Sequence, residues 1–169
     1  AERLGFIAQD NDTPEQLELR ALLVSQLAYA EETTTVDWLI QQFDTHYPAR
    51  LAEISPDLRS VVLSAKLKYD FTEEVFKELI RQYQTTHNPD FKDDVRVALT
   101  SVRQASAGQR LIELLDDRTV IKNQDLSAWF VMILRNRQFK DLAWQWLKAN
   151  FAKLRQTFSE NKDYADFAR

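Results

Sequence analysis

The chain has 169 residues, of which 44% are hydrophobic and 28% charged, and a net charge of −4 at neutral pH. A single domain of that length buries about two-thirds of the surface its unfolded chain would expose, so no covalent staple is needed. The absence of cysteine excludes disulfides and cysteine-ligated zinc or iron–sulfur sites. The acidic balance argues against a general nucleic-acid surface or an anionic-membrane surface, because both need a basic patch. No continuous apolar run approaches the ~18 residues of a membrane span. The expectation is one helical domain over residues 1–169, with neither nucleic acid nor membrane as partner, in a chain compatible with the cytoplasm.

Taken in order, the chain opens on the apolar Leu4-Gly5-Phe6-Ile7 and reaches its first helix signal at Thr13-Pro14-Glu15. A capping side chain, proline at the first helical position and an acid follow one another there, and the same grammar recurs at Ser55-Pro56-Asp57 and Asn88-Pro89-Asp90. Thr13 with Gln16, Thr34 with Asp37 and Ser106 with Gln109 have capping-box spacing or its aspartate variant, and Thr72 stands before Glu73-Glu74. Asn123 is placed to cap a further helix, with Asp125 in its first turn where the dipole favours negative charge. Helix starts are thus expected near Pro14, Thr35, Pro56, Glu73, Pro89, Ala107, Gln124 and Gln138.

Stripes with the 3.6-residue period agree with these starts: Leu19, Leu22, Leu23 and Leu27; Val36, Leu39, Ile40 and Phe43; Leu58, Val61, Val62 and Ala65; Val75, Phe76, Leu79, Ile80 and Tyr83. The next is Leu126, Trp129, Phe130, Ile133 and Leu134, followed by Phe139, Leu142, Ala143, Trp146, Leu147, Phe151, Leu154 and Phe158. Trp146 and Trp129 are expected in the core. Trp144 lies about 200° from Trp146 around a helix, which predicts a last helix buried on two sides. No segment alternates in the manner of a strand. The near-constant intervals predict an all-α fold, an α-α superhelix of antiparallel hairpins like irregular HEAT or armadillo repeats, in preference to a four-helix bundle with strict heptads.

Catalytic chemistry is missing from this pattern. His46 and His87 read as helix-end surface residues, and two glycines cannot build a phosphate-cradling loop. The acid pairs Glu31-Glu32, Glu73-Glu74, Asp93-Asp94 and Asp116-Asp117 read as solvated helix ends, Glu73-Glu74 and Asp93-Asp94 in first turns and Asp116-Asp117 needing a partner in the loop. No catalytic, cofactor-binding or metal-ligating residue is expected in this chain. The basic set Arg118, Lys122, Arg135, Arg137 and Lys140 flanks one helix. It could face an acidic partner or a peptide carboxylate, or serve only as helix-end compensation and solubility.

Several stations along the chain carry a family resemblance. Ile121-Lys122-Asn123-Gln124-Asp125, then Asp141-Leu142-Ala143-Trp144-Gln145-Trp146-Leu147 and Asn150-Phe151, resemble the C-terminal helical domain of aminopeptidase N-type zinc aminopeptidases, the gluzincins. Leu4-Gly5-Phe6, Leu17 with Arg20, and Ile54-Ser55-Pro56-Asp57-Leu58-Arg59 resemble earlier stations of the same domain, in the same order. Lys122, Phe6 and Phe151 depart from the usual arginine and tryptophans. The resemblance implies an excised part of a larger enzyme that removes N-terminal residues from peptides, with zinc held in a catalytic domain of the same polypeptide. This domain would enclose the active-site chamber and help position the peptide, with Lys122, Arg135 and Arg137 as substrate-facing candidates. A free-standing helical-repeat adaptor for a protein or peptide partner is the alternative.

Overall fold

In the computed structural model, residues 5–6 and 12–158 are described, the side chains of 157 and 158 apart. Leu4, Ile7 and the Phe158 side chain, read above from sequence, lie outside the described residues. Within them are eight α-helices and no strand: α1 (Pro14–Tyr29), α2 (Thr33–His46), α3 (Pro56–Tyr69), α4 (Glu73–Thr85), α5 (Pro89–Thr100), α6 (Ala105–Leu114), α7 (Leu126–Arg135) and α8 (Lys140–Phe158). Short 3₁₀ turns, Leu51–Glu53 and Asn123–Asp125, precede α3 and α7.

The proline-led starts form where expected. Thr13 and Gln16 make a complete capping box, Asn88 accepts from the amides of Asp90 and Phe91, and Thr72 accepts from Val75. Each satisfies amides that a helix start leaves without partners. Four starts differ from expectation, and α3 begins at Pro56 as expected but with no side-chain cap from Ser55. Glu32, not Thr34, caps α2, because its longer carboxylate reaches the amides of both Thr34 and Thr35. The Thr35 hydroxyl, which donates to the same carboxylate at 2.6 Å, and then those amides hold the Glu32 pKa at about 2, well under its ordinary 4.5. α6 begins at Ala105 after Gln104 with no side-chain cap. Asn123 opens the 3₁₀ turn rather than α7, so α7 starts at Leu126, and α8 starts at Lys140 after Gln138.

Packing centres on α3. It lies against α5, α2 and α1, and Arg59, Val62, Leu63, Ala65, Lys66 and Leu67 are all buried. A helix apolar on one stripe cannot do this; α3 does it by pairing its charges. Arg59 donates from Nε to Asp94 of α5 at 2.6 Å and from Nη1 to the Ala52 carbonyl at 2.9 Å. Lys66 bridges Asp44 of α2 at 2.8 Å and Asp70 at 2.6 Å. Burial is the largest single influence on Lys66 and pulls its pKa down, but the hydrogen bonds that Lys66 donates to those two carboxylates, with their charges, together raise it.

Two sequence expectations fail. The α1 leucine stripe is not the buried one: Arg20, Val24 and Ala28 face inward while Leu19 and Leu22 are 45% and 56% exposed. Arg20 sets the rotation, because its guanidinium pairs with Asp12 and donates to the Gly5 carbonyl at 2.8 Å. Small Ala28 then meets α3, where the Tyr69 hydroxyl donates to its carbonyl at 3.0 Å. The last helix is not buried on two sides within the described residues. Trp144 is 52% exposed, and Phe151, placed on the inner stripe above, is 48% exposed. The inner face is Ala143, Trp146, Leu147 and Leu154, and α8 at 19 residues outruns the 10-residue α7 against which it packs.

Both core tryptophans are placed as expected. Trp129 is fully buried and meets Tyr83 edge-on at 5.0 Å, donating its indole N–H to the phenol oxygen at 2.8 Å. Trp146 packs on Phe130 at 5.9 Å and donates to Asp116 at 2.8 Å. That bond supplies the loop partner which Asp116 needed, while Asp117 accepts from Thr119 within its own turn. Gly108 completes this end: a Cβ there would sit 2.2 Å from the Phe139 ring, so only glycine lets α6 approach the start of α8. Trp146→Ala should lower stability by about 3–5 kcal/mol, as aromatic truncations in cores do, measured by urea unfolding; a loss below about 1 kcal/mol would place the indole outside the core.

Candidate functional site

Four charged or aromatic clusters stand out, and three are internal clamps. Arg20 ties the Gly5 carbonyl to α1, while Phe6 stacks on Trp38 of α2 at 5.1 Å. Arg59 joins α3 to α5 and lies 5.4 Å over the Phe91 ring. The third lies around Tyr83. Its hydroxyl accepts from Trp129, lies 3.4 Å from an Asp125 oxygen, and its ring carries the Lys92 ammonium at 4.6 Å. Lys92 also reaches Asp125 at 3.7 Å. The turn Asn123–Asp125 is thereby fastened to α4 and α5, which explains an aspartate in that turn without any ligand. Beside it lies a polar pocket of about 360 Å³ that His87, Asp93 and Arg96 help to line. Its charges are paired, Arg96 with Asp93 and Lys92 with Asp125.

The fourth cluster is open. Lys68, Arg103, Arg135 and Arg137 line a cleft of about 480 Å³ together with Thr100 and Asn136, and no acid is in the lining. Two basic sequence candidates, Arg135 and Arg137, are therefore brought together, one on each side of Asn136. Sequence reasoning missed Lys68 and Arg103, because they come from α3 and from the turn after α5, far away in the chain. The Asn136 amide donates to the carbonyls of Thr100 and Val102, both at 2.9 Å, and pins the α7–α8 turn on the end of α5. Arg103 pairs with Glu31, whose left-handed backbone (φ 58°) turns the chain between α1 and α2. The Arg103 hydrogen bond, with a smaller pull from Lys68, keeps the Glu31 carboxyl below the usual range. The ring of Tyr69 lies beneath both cations, 4.9 Å from Lys68 and 5.1 Å from Arg103.

The other basic candidates do not join this cleft. Lys122 is exposed ahead of the opposite end of α7, and a 10-residue helix separates it from Arg135 by about 15 Å. Arg118 donates to the Leu115 carbonyl at the end of α6, and Lys140 is exposed at the start of α8.

The acid pairs are spent on structure. Glu73 and Glu74 lie in the first turn of α4 as expected. Asp93 and Asp94 do not lie in a first turn, since α5 begins at Pro89 and Asp90 occupies that place. Asp94 is instead the counter-charge of Arg59, and burial raises its pKa against the pull of that arginine. His46 uses Nδ1 on the Gln42 carbonyl at 2.8 Å. Among the described residues no group of three or more His, Asp or Glu is placed to hold a metal.

A model of the ERAP1-like C-terminal domain matches residues 1–168. The chain belongs to the ERAP1-like C-terminal domain family. Aminopeptidase N of Lactobacillus delbrueckii subsp. lactis is 27% identical over 165 residues, which cover 98% of this chain and 20% of that protein. Aminopeptidase N of Lactobacillus helveticus is 28% identical, with 98% and 19% covered. The glutamyl aminopeptidase of Mus musculus is 29% identical over 113 residues, 67% of this chain and 12% of that protein. The chain thus spans about one fifth of the length of its aminopeptidase N relatives. Several residues of the stations that resemble the family stand in the clamps just described, Gly5 with Arg20, Arg59 and Asp125, whereas Lys122, Trp144 and Phe151 of the same stations are exposed.

Burial raises the Tyr83 pKa to about 12 from its ordinary 10.0, with the Trp129 N–H pulling the other way. The fold therefore favours the neutral phenol. That stability is present below about 10 and is lost as pH rises through about 12. Ultraviolet titration of the five tyrosines should show a late step that Tyr83→Phe removes; a titration unchanged by Tyr83→Phe would contradict the clamp.

Proposed function

We propose that this chain is a non-catalytic C-terminal helical part of a zinc aminopeptidase, closing over the chamber in which N-terminal residues are removed from peptides and helping to position the substrate. The observation carrying this reading is the family match over residues 1–168 of a chain that spans about one fifth of relatives named aminopeptidases. Zinc belongs to the catalytic part of that polypeptide. The residues described here do not fit it: His46 and His87 stand at the ends of different helices, and a hydrolytic zinc site takes about three protein ligands plus an open position.

An enclosing wall needs breadth more than reactivity. The odd-numbered helices supply it: α1 packs on α3, α3 on α5 and α5 on α7, while α2, α4 and α8 each pack on an odd neighbour. This succession of layers supports an α-α superhelix, whose inner surface is the natural place for a peptide. Arg135 and Arg137 in the cleft and Lys122 about 15 Å away would then meet different stretches of a long substrate, and short substrates would reach neither. No described helix is long and apolar enough to cross a membrane, and the proposed compartment is the cytoplasm.

The test uses the 169-residue chain and the same residues joined to their catalytic part. The chain alone should release no amino acid from peptides. In the joined polypeptide, Arg135→Glu and Arg137→Glu should raise KM for long peptides by about tenfold, the order of a lost charge contact, and leave a one-residue chromogenic substrate unchanged. Metal-dependent hydrolysis by the chain alone would overturn the non-catalytic reading. Unaltered long-peptide kinetics would overturn substrate positioning.

A further inference from the structure

The cleft at the ends of α3, α5 and α7 holds more positive charge than the helix ends require. Lys68, Arg103, Arg135 and Arg137 face it, and among the described residues the one carboxylate engaging any of them is Glu31, on Arg103. The three helix C-termini contribute roughly half a negative charge each. The cleft therefore stays positive by about one to two charges.

Helix capping does not account for these cations either. Neutral donors serve the carbonyls of Arg96, Val97, Ala98 and Thr100 at the end of α5 and that of Val102 just beyond it. The Thr100 hydroxyl serves those of Arg96 and Val97, the Ser101 hydroxyl that of Ala98, and the Asn136 amide those of Thr100 and Val102. At the end of α7 the Asn136 amide N–H donates to Ile133. Arg135 and Arg137 are exposed, and among the described residues no hydrogen bond or ion pair holds either side chain. Their planar forks remain available for bidentate contact with a carboxylate.

The cleft also has a direction. Lys68, Val97 and Ser101 belong both to it and to a smaller trough of about 240 Å³ that runs toward α1. Ser25, Ser60 and Ser64 line that trough with Tyr29 beside them. Tyr29 is 77% exposed. Hydroxyls along a narrow trough can pair with a peptide backbone, and the cations at its end can take side-chain carboxylates. A lone small anion would use only the cationic end.

We infer that the trough and cleft together bind an extended acidic peptide segment, with its glutamate or aspartate side chains on Arg135 and Arg137. This goes beyond the enclosure reading. Binding is a property of these 169 residues and is measured without catalysis, so either idea can fail while the other stands.

Fluorescence anisotropy of the chain with three labelled peptides tests it. The first is a heptapeptide with three glutamates and both ends blocked. The second has glutamines in their place and a free C-terminal carboxylate, and the third has lysines with blocked ends. The blocked acidic peptide should bind at least about tenfold more tightly than either other, and weaken steeply as salt rises past about 0.1 M. The double variant Arg135→Glu with Arg137→Glu, its helicity checked by circular dichroism, should lose about tenfold or more. Lys77→Glu, on the outer side of α4, should lose nothing. The inference is overturned by equal binding of the glutamine peptide with its free carboxylate, which would make the site one for chain termini. It is equally overturned by no binding of the acidic peptide, or by equal loss in Lys77→Glu.

Discussion

The Arg59–Asp94 pair is the interaction on which the rest of the fold depends. It lets α3, a helix with two cationic side chains on its inner faces, sit at the centre of the domain. A buried guanidinium without a partner costs several kcal/mol, and Arg59 meets this with Asp94 at 2.6 Å, the Ala52 carbonyl at 2.9 Å and the Phe91 face. Lys66 does the same on the other side with Asp44 and Asp70. Helices α2 and α5 are thereby held to α3 by charge and by apolar packing together. α1 follows, rotated by Arg20 so that its smaller residues meet α3. The directional pairs fix which helix lies against which, while Val62, Leu63 and Leu67 supply non-directional burial.

Much of this was legible in the sequence, for identifiable reasons. Caps and prolines are local signals, so the starts at Pro14, Pro56, Glu73 and Pro89 could be read directly. The α4 stripe was legible because one face alone is apolar. On α1 the inward face is Arg20, Val24 and Ala28, and a stripe that counts leucines selects the opposite side. Nothing local announces a buried arginine; its partners lie at Gly5 and Asp12. The same holds for Asp94, which reads as a helix-end acid until α3 is seen beside it. Glu32 outreached Thr34 as a cap because a glutamate side chain spans two amides.

The cleft divides in the same way. Arg135 and Arg137 were visible as a basic pair closing α7, whereas Lys68 and Arg103 join them only through the packing of α3 and α5 on α7. Lys122, adjacent in composition, is removed by the length of that helix. Tyr69 supports Lys68 and Arg103 on one ring, and Asn136 occupies the carbonyls of Thr100 and Val102. Of the residues carrying the family resemblance, Arg20, Arg59 and Trp146 hold the scaffold, whereas Lys122, Trp144 and Phe151 are exposed.

Native-state hydrogen exchange tests the central role of α3 most directly. If α3 is held from all sides by Arg59 and Lys66, its amides and those of α5 should exchange only through global unfolding, after α1 and α8 have opened locally. Arg59→Met should then bring α3 and α5 into the earlier-opening set together. Exchange of α3 alongside α1 in the unaltered chain, or an Arg59→Met variant in which α5 keeps its full protection, would contradict it.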